Sequence, residues 1–276
     1  MGTPVEGDEA DLTRKQRREQ ARAQRKALEE SEAAGAKRRA RLTQLGIVVA
    51  AVVVAVVVIL IATGGGGTKV VHSGSKEANE TVAAVNSLVG GIPQKANVLG
   101  DPGAPVTLQY FGDLECPICK EFTLGALPPI IQQWVRSGKL KIEYRSMRTA
   151  THEPEVFKTQ QVAALAAGKQ NKMWYFVELF YHEQQEEDSG YVTENYLQGL
   201  AQQVPGLNLT QWTSDRGDPA LTSQVEADAQ AANNAGFTGT PSFLIGKAGG
   251  TAKRFEYSSL TDPTSFNEAI EKLLKG

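Results

Sequence analysis

Cysteine is scarce in this 276-residue chain: there are two, Cys116 and Cys119, both inside "FGDLECPICKEF". A structural disulfide across so short a loop would remove little chain entropy and staple nothing distant. Histidine is scarce as well. His72, His152 and His182 are the three present, and none forms a short-spaced pair. A tetrahedral zinc site built on the cysteines would therefore lack two ligands. Methionine is sparse, with Met147 and Met173 accompanying the cysteines and no Met-rich run. Two thiolates alone can hold a soft ion such as Cu(I), so a copper chaperone stays open but unsupported. Aromatic residues make up 7% and the formal net charge is −2, which gives no general case for binding nucleic acid. No internal repeat is visible.

The charge that exists is unevenly placed. Residues 1–44 carry eleven Lys/Arg against eight Asp/Glu, a net +3, which leaves −5 for the remainder. This charged, Ala-rich tail has no apolar stripe and reads as an exposed segment that sets topology. The basic cluster Lys37, Arg38, Arg39 and Arg41 precedes "LGIVVAAVVVAVVVILIA", Leu45–Ala62, a run without charge or proline. As a helix it spans roughly 27 Å, close to the apolar thickness of a bilayer. A buried core helix is disfavoured because valine all round would need apolar neighbours on every side. A cleaved signal peptide is disfavoured by the long basic tail and by "TGGGG", a poor cleavage site. The run reads as one transmembrane helix, with the basic side in the cytoplasm and everything after Thr63 outside. Residues 63–95 open with Gly64–Gly67 and read as a flexible tether holding at most a short helix around Glu80–Leu88.

Beyond about Asn97 the pattern becomes that of an α/β domain. "VTLQYF", Val106–Phe111, reads as a buried strand, and "KLKIEYRSM" as a second. Between them a helix is expected from Pro117 to about Ser137, bent at Leu127–Pro129. Strand, crossover helix and strand imply a parallel pair. Helices then fill roughly Glu153–Asn234, one ending at a Gly168 cap and another starting after Thr193 as N-cap. "TPSFLIG" and "RFEYSSL" read as further strands, and "TDPTSFNEAIEKLLK" as a closing helix.

The cysteine spacing points to redox chemistry. Pro117 suits the first position of a helix, where its missing N–H is harmless. Cys116 then falls at the N-cap, with the free N–H groups of Ile118 and Cys119 and the positive helix end directed at its sulfur. That setting favours thiolate over thiol and marks Cys116 as nucleophile. Cys119, one turn inside, is the resolving thiol. Far away in "GFTGTPSFLIG", Pro241 opens a strand after Thr240. Taken alone it reads as an ordinary edge-strand proline, although an X-Pro bond there is also a candidate for the cis form.

The stretches "VLGDPGAPVTLQYFGDLECPICKEF" (98–122) and "GFTGTPSFLIG" (236–246) together resemble the DsbA-like branch of the thioredoxin superfamily. The resemblance covers roughly Asn97–Lys275. It implies a thioredoxin-like domain over 96–276 with a helical insertion at about 150–235. It also implies that Cys116 and Cys119 form the dithiol/disulfide centre and that Thr240 and Pro241 form a substrate-facing cis-Pro loop. Two departures stand out. Ile118 occupies the place where strongly oxidising members carry histidine, so less depression of the Cys116 pKa is expected. Tyr110, six residues before Cys116, stands where the family commonly has a buried acid. Proton transfer to Cys119 would then use water, Asp113 or Glu115, and those two acids would oppose a thiolate at Cys116.

The reading that results is a membrane-tethered extracytoplasmic thiol–disulfide oxidoreductase, needing no cofactor, that forms disulfides in exported proteins of a bacterial envelope. The resemblance implies reduced, unfolded substrates and reoxidation by a membrane partner of the DsbB or VKOR type. A reductase of the same fold is the nearest rival, because direction depends on the potentials of the partners. An isomerase is disfavoured, since the tether looks too short for a dimerisation domain. A redox-inactive peptide-binding module remains the rival of another class.

Overall fold

The computed structural model describes residues 74–275. The tail at 1–44, the apolar run at 45–62 and the first part of the expected tether lie outside the described residues. Among those described, no helix is long and apolar enough to cross a membrane.

The folded region begins well before the expected boundary at 96. Lys76–Val89 is a helix, α1, started by Ser75, whose hydroxyl accepts the Ala78 N–H at 3.1 Å. Ala78, Val85 and Val89 are buried in the main core. The other end of α1 is held by Arg136, whose guanidinium donates to the carbonyls of Ser87 (2.7 Å), Leu88 (2.8 Å) and Gly90 (3.3 Å). Residues 76–95 are thus structure and not tether. Val85 and Val89 lie four apart, one helical turn, and supply an apolar face that the surrounding Ala, Asn and Ser residues obscure in the sequence.

Two short strands follow, β1 (Gln94–Lys95) and β2 (Val98–Leu99), both beyond what the sequence pattern signals. The central strand β3 is Val106–Gly112, and β4 is Leu140–Ser146. They pair in parallel from Val106↔Leu140 to Gly112↔Ser146, as the strand–helix–strand pattern requires. β5 (Ser242–Lys247) runs antiparallel on the other side of β3, and β6 (Lys253–Phe255) pairs antiparallel with β5. The six-stranded sheet has the order β1-β2-β4-β3-β5-β6. β3 is therefore interior, and its alternation puts Val106, Leu108 and Tyr110 on the main core face while Phe111 packs with Met147, Ala232 and Phe237 on the other.

The crossover between β3 and β4 breaks earlier than expected. Helix α2 is Pro117–Leu124, and α3 is Leu127–Ile130, continued by a π-helical turn over Ile131–Val135. The break falls at Gly125–Ala126, where the Ala126 N–H leaves the helix to bond the Leu260 carbonyl at 2.9 Å. Proline is tolerated in the first turn of a helix but not inside one, so the chain breaks before Pro128 and not at it. Gly125 permits the close pass, since a Cβ there would lie 2.6 Å from the Glu121 carbonyl oxygen and 2.8 Å from that of Leu260.

The helical insertion comprises α4 (Pro154–Lys169), α5 (Met173–Glu183), α6 (Glu194–Gln203), α7 (Leu209–Asp215) and α8 (Pro219–Asn234). Thr193 caps α6 as expected, accepting the Tyr196 N–H at 3.2 Å. Gly168 is not a cap: α4 runs on to Lys169, and a side chain at 168 would meet the Ala96 carbonyl oxygen at 3.0 Å. Its role is close packing. α5 is buried from Met173 to Tyr181, Glu178 included. Burial pushes the Glu178 carboxyl up to about 8, so it sits in the core as a neutral acid. Helix α9 (Thr264–Lys275) closes the chain, with the Phe266 ring packed edge-on or tilted against Phe122, Phe243 and Phe255.

Packing of α1 is open to a direct check. Val89→Ala removes buried methyl groups and should lower unfolding free energy by about 2 kcal/mol, whereas Glu80→Ala on the exposed face should change it little. Urea denaturation of the two variants reads the difference, and equal, negligible effects would restore the tether reading for this segment.

Candidate active site

β3 ends at Gly112, and the next four residues carry the chain over the end of the sheet into α2. Cys116 is the N-cap of that helix, in extended conformation at φ −70° and ψ 118°, with Pro117 in the first turn. Its Sγ accepts the Cys119 N–H at 3.4 Å. The turn before it is fixed by Gln184, whose side-chain amide donates to the carbonyls of Leu114 (2.7 Å) and Cys116 (3.1 Å). Cys116 is 5% exposed and Cys119 wholly buried; both are free thiols.

Position separates the two sulfurs chemically. The Cys119 thiol donates a hydrogen bond to Cys116, and the Thr240 side chain and the N–H groups of Cys119 and Ile118 add to it. Against the opposing effect of burial, these donors bring the Cys116 pKa down to about 6. Cys119 moves the other way: burial, its donation to Cys116 and the neighbouring charge hold its thiol well above the ordinary value. The nucleophile and resolving roles read from the sequence agree with this asymmetry. Ile118 supplies no charge, as expected, and is 44% exposed beside the sulfur. Its side chain is not needed for the low pKa, because main-chain donors and Cys119 provide it.

The second segment arrives from residue 240. The Thr240–Pro241 peptide is cis, and β5 begins directly after it at Ser242. The register Phe111↔Ser242 places this turn against the end of β3, next to the start of α2. The Thr240 carbonyl lies 3.6 Å from the Cys116 sulfur. Pro241 thus precedes an inner strand, not an edge strand. β6 pairs only as far as Phe243↔Phe255, so Pro241 and Ser242 extend past its cover. A groove of about 400 Å³ opens there, lined by Phe237, Gly239, Thr240, Pro241, Arg254 and Tyr257 among others. An extended peptide laid along it would approach Cys116.

Tyr110 is fully buried beneath Cys119. Its hydroxyl lies 3.2 Å from Tyr181 Oη, 3.2 Å from Thr123 Oγ1 and 3.4 Å from the Cys119 carbonyl oxygen. Tyr181 in turn donates to the Asp113 carbonyl at 3.1 Å. Burial holds the Tyr110 phenol well above its ordinary pKa, so it stays protonated. An uncharged hydroxyl network thus occupies the place where the resemblance leads one to expect an acid.

Asp113 and Glu115 have other tasks than those expected of them. The Asp113 carboxylate accepts hydrogen bonds from the N–H groups of Thr149, Ala150, Thr151 and Glu115 and from the Thr151 hydroxyl. A carboxylate so surrounded is compensated in place and has no free direction for a thiol proton. Glu115 is buried, and burial raises its carboxyl pKa. Neither acid ranks among the main influences on the Cys116 thiol.

Thr123, Thr149, Thr151, Tyr181 and Gln184 escape any reading of the sequence. Each acts through a hydrogen bond that only the folded chain creates, and no spacing announces them.

The thiol asymmetry sets a pH signature. Alkylation of the reduced protein by iodoacetamide should fall on Cys116 and rise through a midpoint near pH 6, since thiolate forms as pH climbs past the folded-state pKa. Roughly nine-tenths of Cys116 would be thiolate at pH 7. Cys119 should resist the reagent at neutral pH. Mass spectrometry of labelled peptides checks both, and a midpoint at the ordinary thiol value would contradict the geometry.

Known proteins resemble this chain in sequence and in fold. A family model described as thioredoxin matches residues 94–262, more than half of the chain. Disulfide bond formation protein D of Bacillus subtilis is 27% identical over 207 residues, covering 73% of this chain and 85% of that protein. The crystal structure of oxidised BdbD from Bacillus subtilis superposes with a TM-score of 0.56 at 26% identity, covering 68% of this chain and 99% of that one. α-DsbA1 of Wolbachia pipientis shares the fold, with a TM-score of 0.53 at 20% identity over 65% of this chain and 90% of that one. With the paired thiols at the start of a helix and a cis-proline turn against them, the chain belongs to the thioredoxin family and is a thiol–disulfide oxidoreductase of the DsbA type.

Proposed function

We propose that the chain is a membrane-tethered oxidase that forms disulfides in exported proteins through a Cys116–Cys119 centre facing outward. The observation that carries this reading is the unequal ionisation of the two sulfurs. A Cys116 thiol whose pKa is brought down to about 6 stabilises the reduced form of the pair, and a centre whose reduced form is stabilised is a stronger oxidant. The name of the Bacillus subtilis relative, disulfide bond formation protein D, supports the same direction.

The steps follow from the geometry. A substrate thiolate in the groove attacks Cys116 Sγ of the disulfide. The Cys116–Cys119 bond breaks, and Cys119 leaves with the electron pair and takes up a proton, as its high pKa requires. A second substrate thiolate then attacks the substrate sulfur of the mixed disulfide. Cys116 departs as thiolate, a good leaving group because of its low pKa. The substrate has lost two electrons and the dithiol holds them. A membrane partner of the DsbB or VKOR type would accept those electrons and restore the disulfide. Thr240 and Pro241 line the path, and the strand edge beyond β6 would hold an extended segment by main-chain hydrogen bonds, tolerant of sequence. Anchorage rests on residues 45–62 and the basic cluster before them, which direct this domain to the outer face.

Equilibration of the full chain in glutathione buffers tests the direction. The pair should be half-oxidised at a potential clearly above thioredoxin's, about −270 mV; a value at or below that figure would favour the reductase reading. Cys119→Ser, first converted to its Cys116–glutathione mixed disulfide, should exchange glutathione for a thiol of a reduced, denatured secretory protein and stay linked to it at Cys116, and Cys116→Ser should form no such adduct.

Placement has its own test. In intact cells treated with a membrane-impermeant reductant, a membrane-impermeant maleimide should label Cys116; labelling only after lysis would overturn the outward-facing assignment.

A further inference from the structure

The loop after β4 reaches the reacting sulfur through one side chain. The Asp113 Oδ2 atom accepts three successive N–H groups, from Thr149 (2.9 Å), Ala150 (2.9 Å) and Thr151 (3.0 Å). Its Oδ1 accepts the Thr151 hydroxyl at 2.6 Å and the Glu115 N–H at 3.2 Å. Gln160 steadies the far side by donating to Thr151 Oγ1 at 2.8 Å. Consecutive main-chain donors converging on one anion form a rigid concave cradle, here filled by the protein's own carboxylate. Asp113 also governs the cysteine turn, because its carbonyl accepts the Cys116 N–H at 3.0 Å. One residue therefore fixes both the turn that carries the sulfur and the loop that faces it.

What the loop presents is Thr149. Its hydroxyl lies 2.5 Å from the Thr240 hydroxyl, and Thr240 bonds the Cys116 sulfur through its side chain while its carbonyl lies 3.6 Å from the same atom. Either hydroxyl can be the donor. A hydroxyl has one proton to give: with Thr149 as donor the Thr240 oxygen is held in place and its own proton is left for the sulfur, and without that donor the Thr240 hydroxyl is free to turn away. When Cys116 is ionised its negative charge draws the Thr240 O–H toward it, and Thr149 must then donate.

We propose that Thr149 is a positioning residue of the redox centre: held by the Asp113 cradle, it donates to the Thr240 hydroxyl and thereby turns the Thr240 proton toward the Cys116 thiolate. Thr149 touches no reacting atom and acts wholly through Thr240. The inference rests on Cys116 being the exchanging sulfur, as proposed above. It predicts that the ease of ionising Cys116 is set partly from the β4–α4 loop, outside both the helix start and the cis-Pro turn.

The test uses the full chain and the pH dependence of Cys116 alkylation in five proteins: wild type, Thr149→Val, Thr149→Ser, Thr240→Val and Thr149→Val combined with Thr240→Val. The titratable groups around the sulfur are Cys119 and Lys120 on its own helix, Asp113 and Glu115 in the preceding turn, and Tyr257 beyond β6. None is altered by these substitutions. Thr149→Val, nearly isosteric, should raise the alkylation midpoint by about half a unit or more, the size of one modest hydrogen bond. Thr149→Ser should restore the wild-type midpoint. In a Thr240→Val background the Thr149 substitution should have no further effect, because the mediator is gone. A wild-type midpoint in Thr149→Val, or an undiminished shift without the Thr240 hydroxyl, overturns the proposal. Failure of the oxidase reading would appear separately, as a reducing potential in the wild-type chain whatever the Thr149 variants do.

Discussion

The main-chain N–H groups that open α2 have no partner within the helix, and the Cys116 sulfur stands where they point. Everything else at the site serves that meeting. β3 delivers the chain to the end of the sheet, Pro117 starts the helix without wasting a donor, and Gln184 pins the carbonyls of the turn so that the sulfur cannot swing away. The stabilisation costs the fold little, because unsatisfied donors are an unavoidable property of a helix start. A side chain would have had to be held in place by further packing to do the same. That is why isoleucine at 118 is compatible with an ionised neighbour.

The rest of the architecture can be understood as a means of bringing residue 240 to residue 116. The two are far apart in sequence, with β4 and seven helices between them, yet the only demand on that chain is that β5 pair beside β3. Register does the rest: once Phe111 faces Ser242, the turn before β5 has nowhere to sit except over the start of α2. The insertion can therefore be large and irregular without disturbing the chemistry, provided that α4 and α8 close on the sheet. It also contributes, since Tyr181 and Gln184 on or just beyond α5 enter the site from a helix that has no sequence proximity to it.

How much of this could be seen in the sequence depended on the range of the interaction. The N-cap cysteine and the proline behind it are a local signal, spelled out over four residues, and the structure agrees with it. β3, β4 and their parallel pairing follow from alternation and crossover length. Pro241 gave an ambiguous signal by itself and gained its meaning from the resemblance. The misplaced features all depend on contacts at a distance. α1 is legible as a short helix around Glu80–Leu88, but its full extent and its place in the folded domain show only in what its valines bury. The helix break moved to Gly125 because Leu260, far along the chain, accepts the Ala126 N–H. Gly168 looked like a terminus and is a spacer against Ala96. Asp113 looked like a proton carrier by its nearness to Cys116, and its carboxylate is committed to a loop at residues 149–151. Thr149 meets Thr240 across a separation of 91 residues, which no short pattern can encode.

Tyr110 has one more consequence. The groups that touch the interior side of the Cys119 turn are phenol and alcohol hydroxyls, which keep the same charge in acid and in mild alkali. When the dithiol closes and opens, no nearby ion has to be created or erased in the low-dielectric interior, and the hydroxyls need only rotate. The reaction's electrostatic work is thereby confined to the two sulfurs and the incoming substrate, and the hydroxyls behind them carry no charge at any stage of the redox cycle.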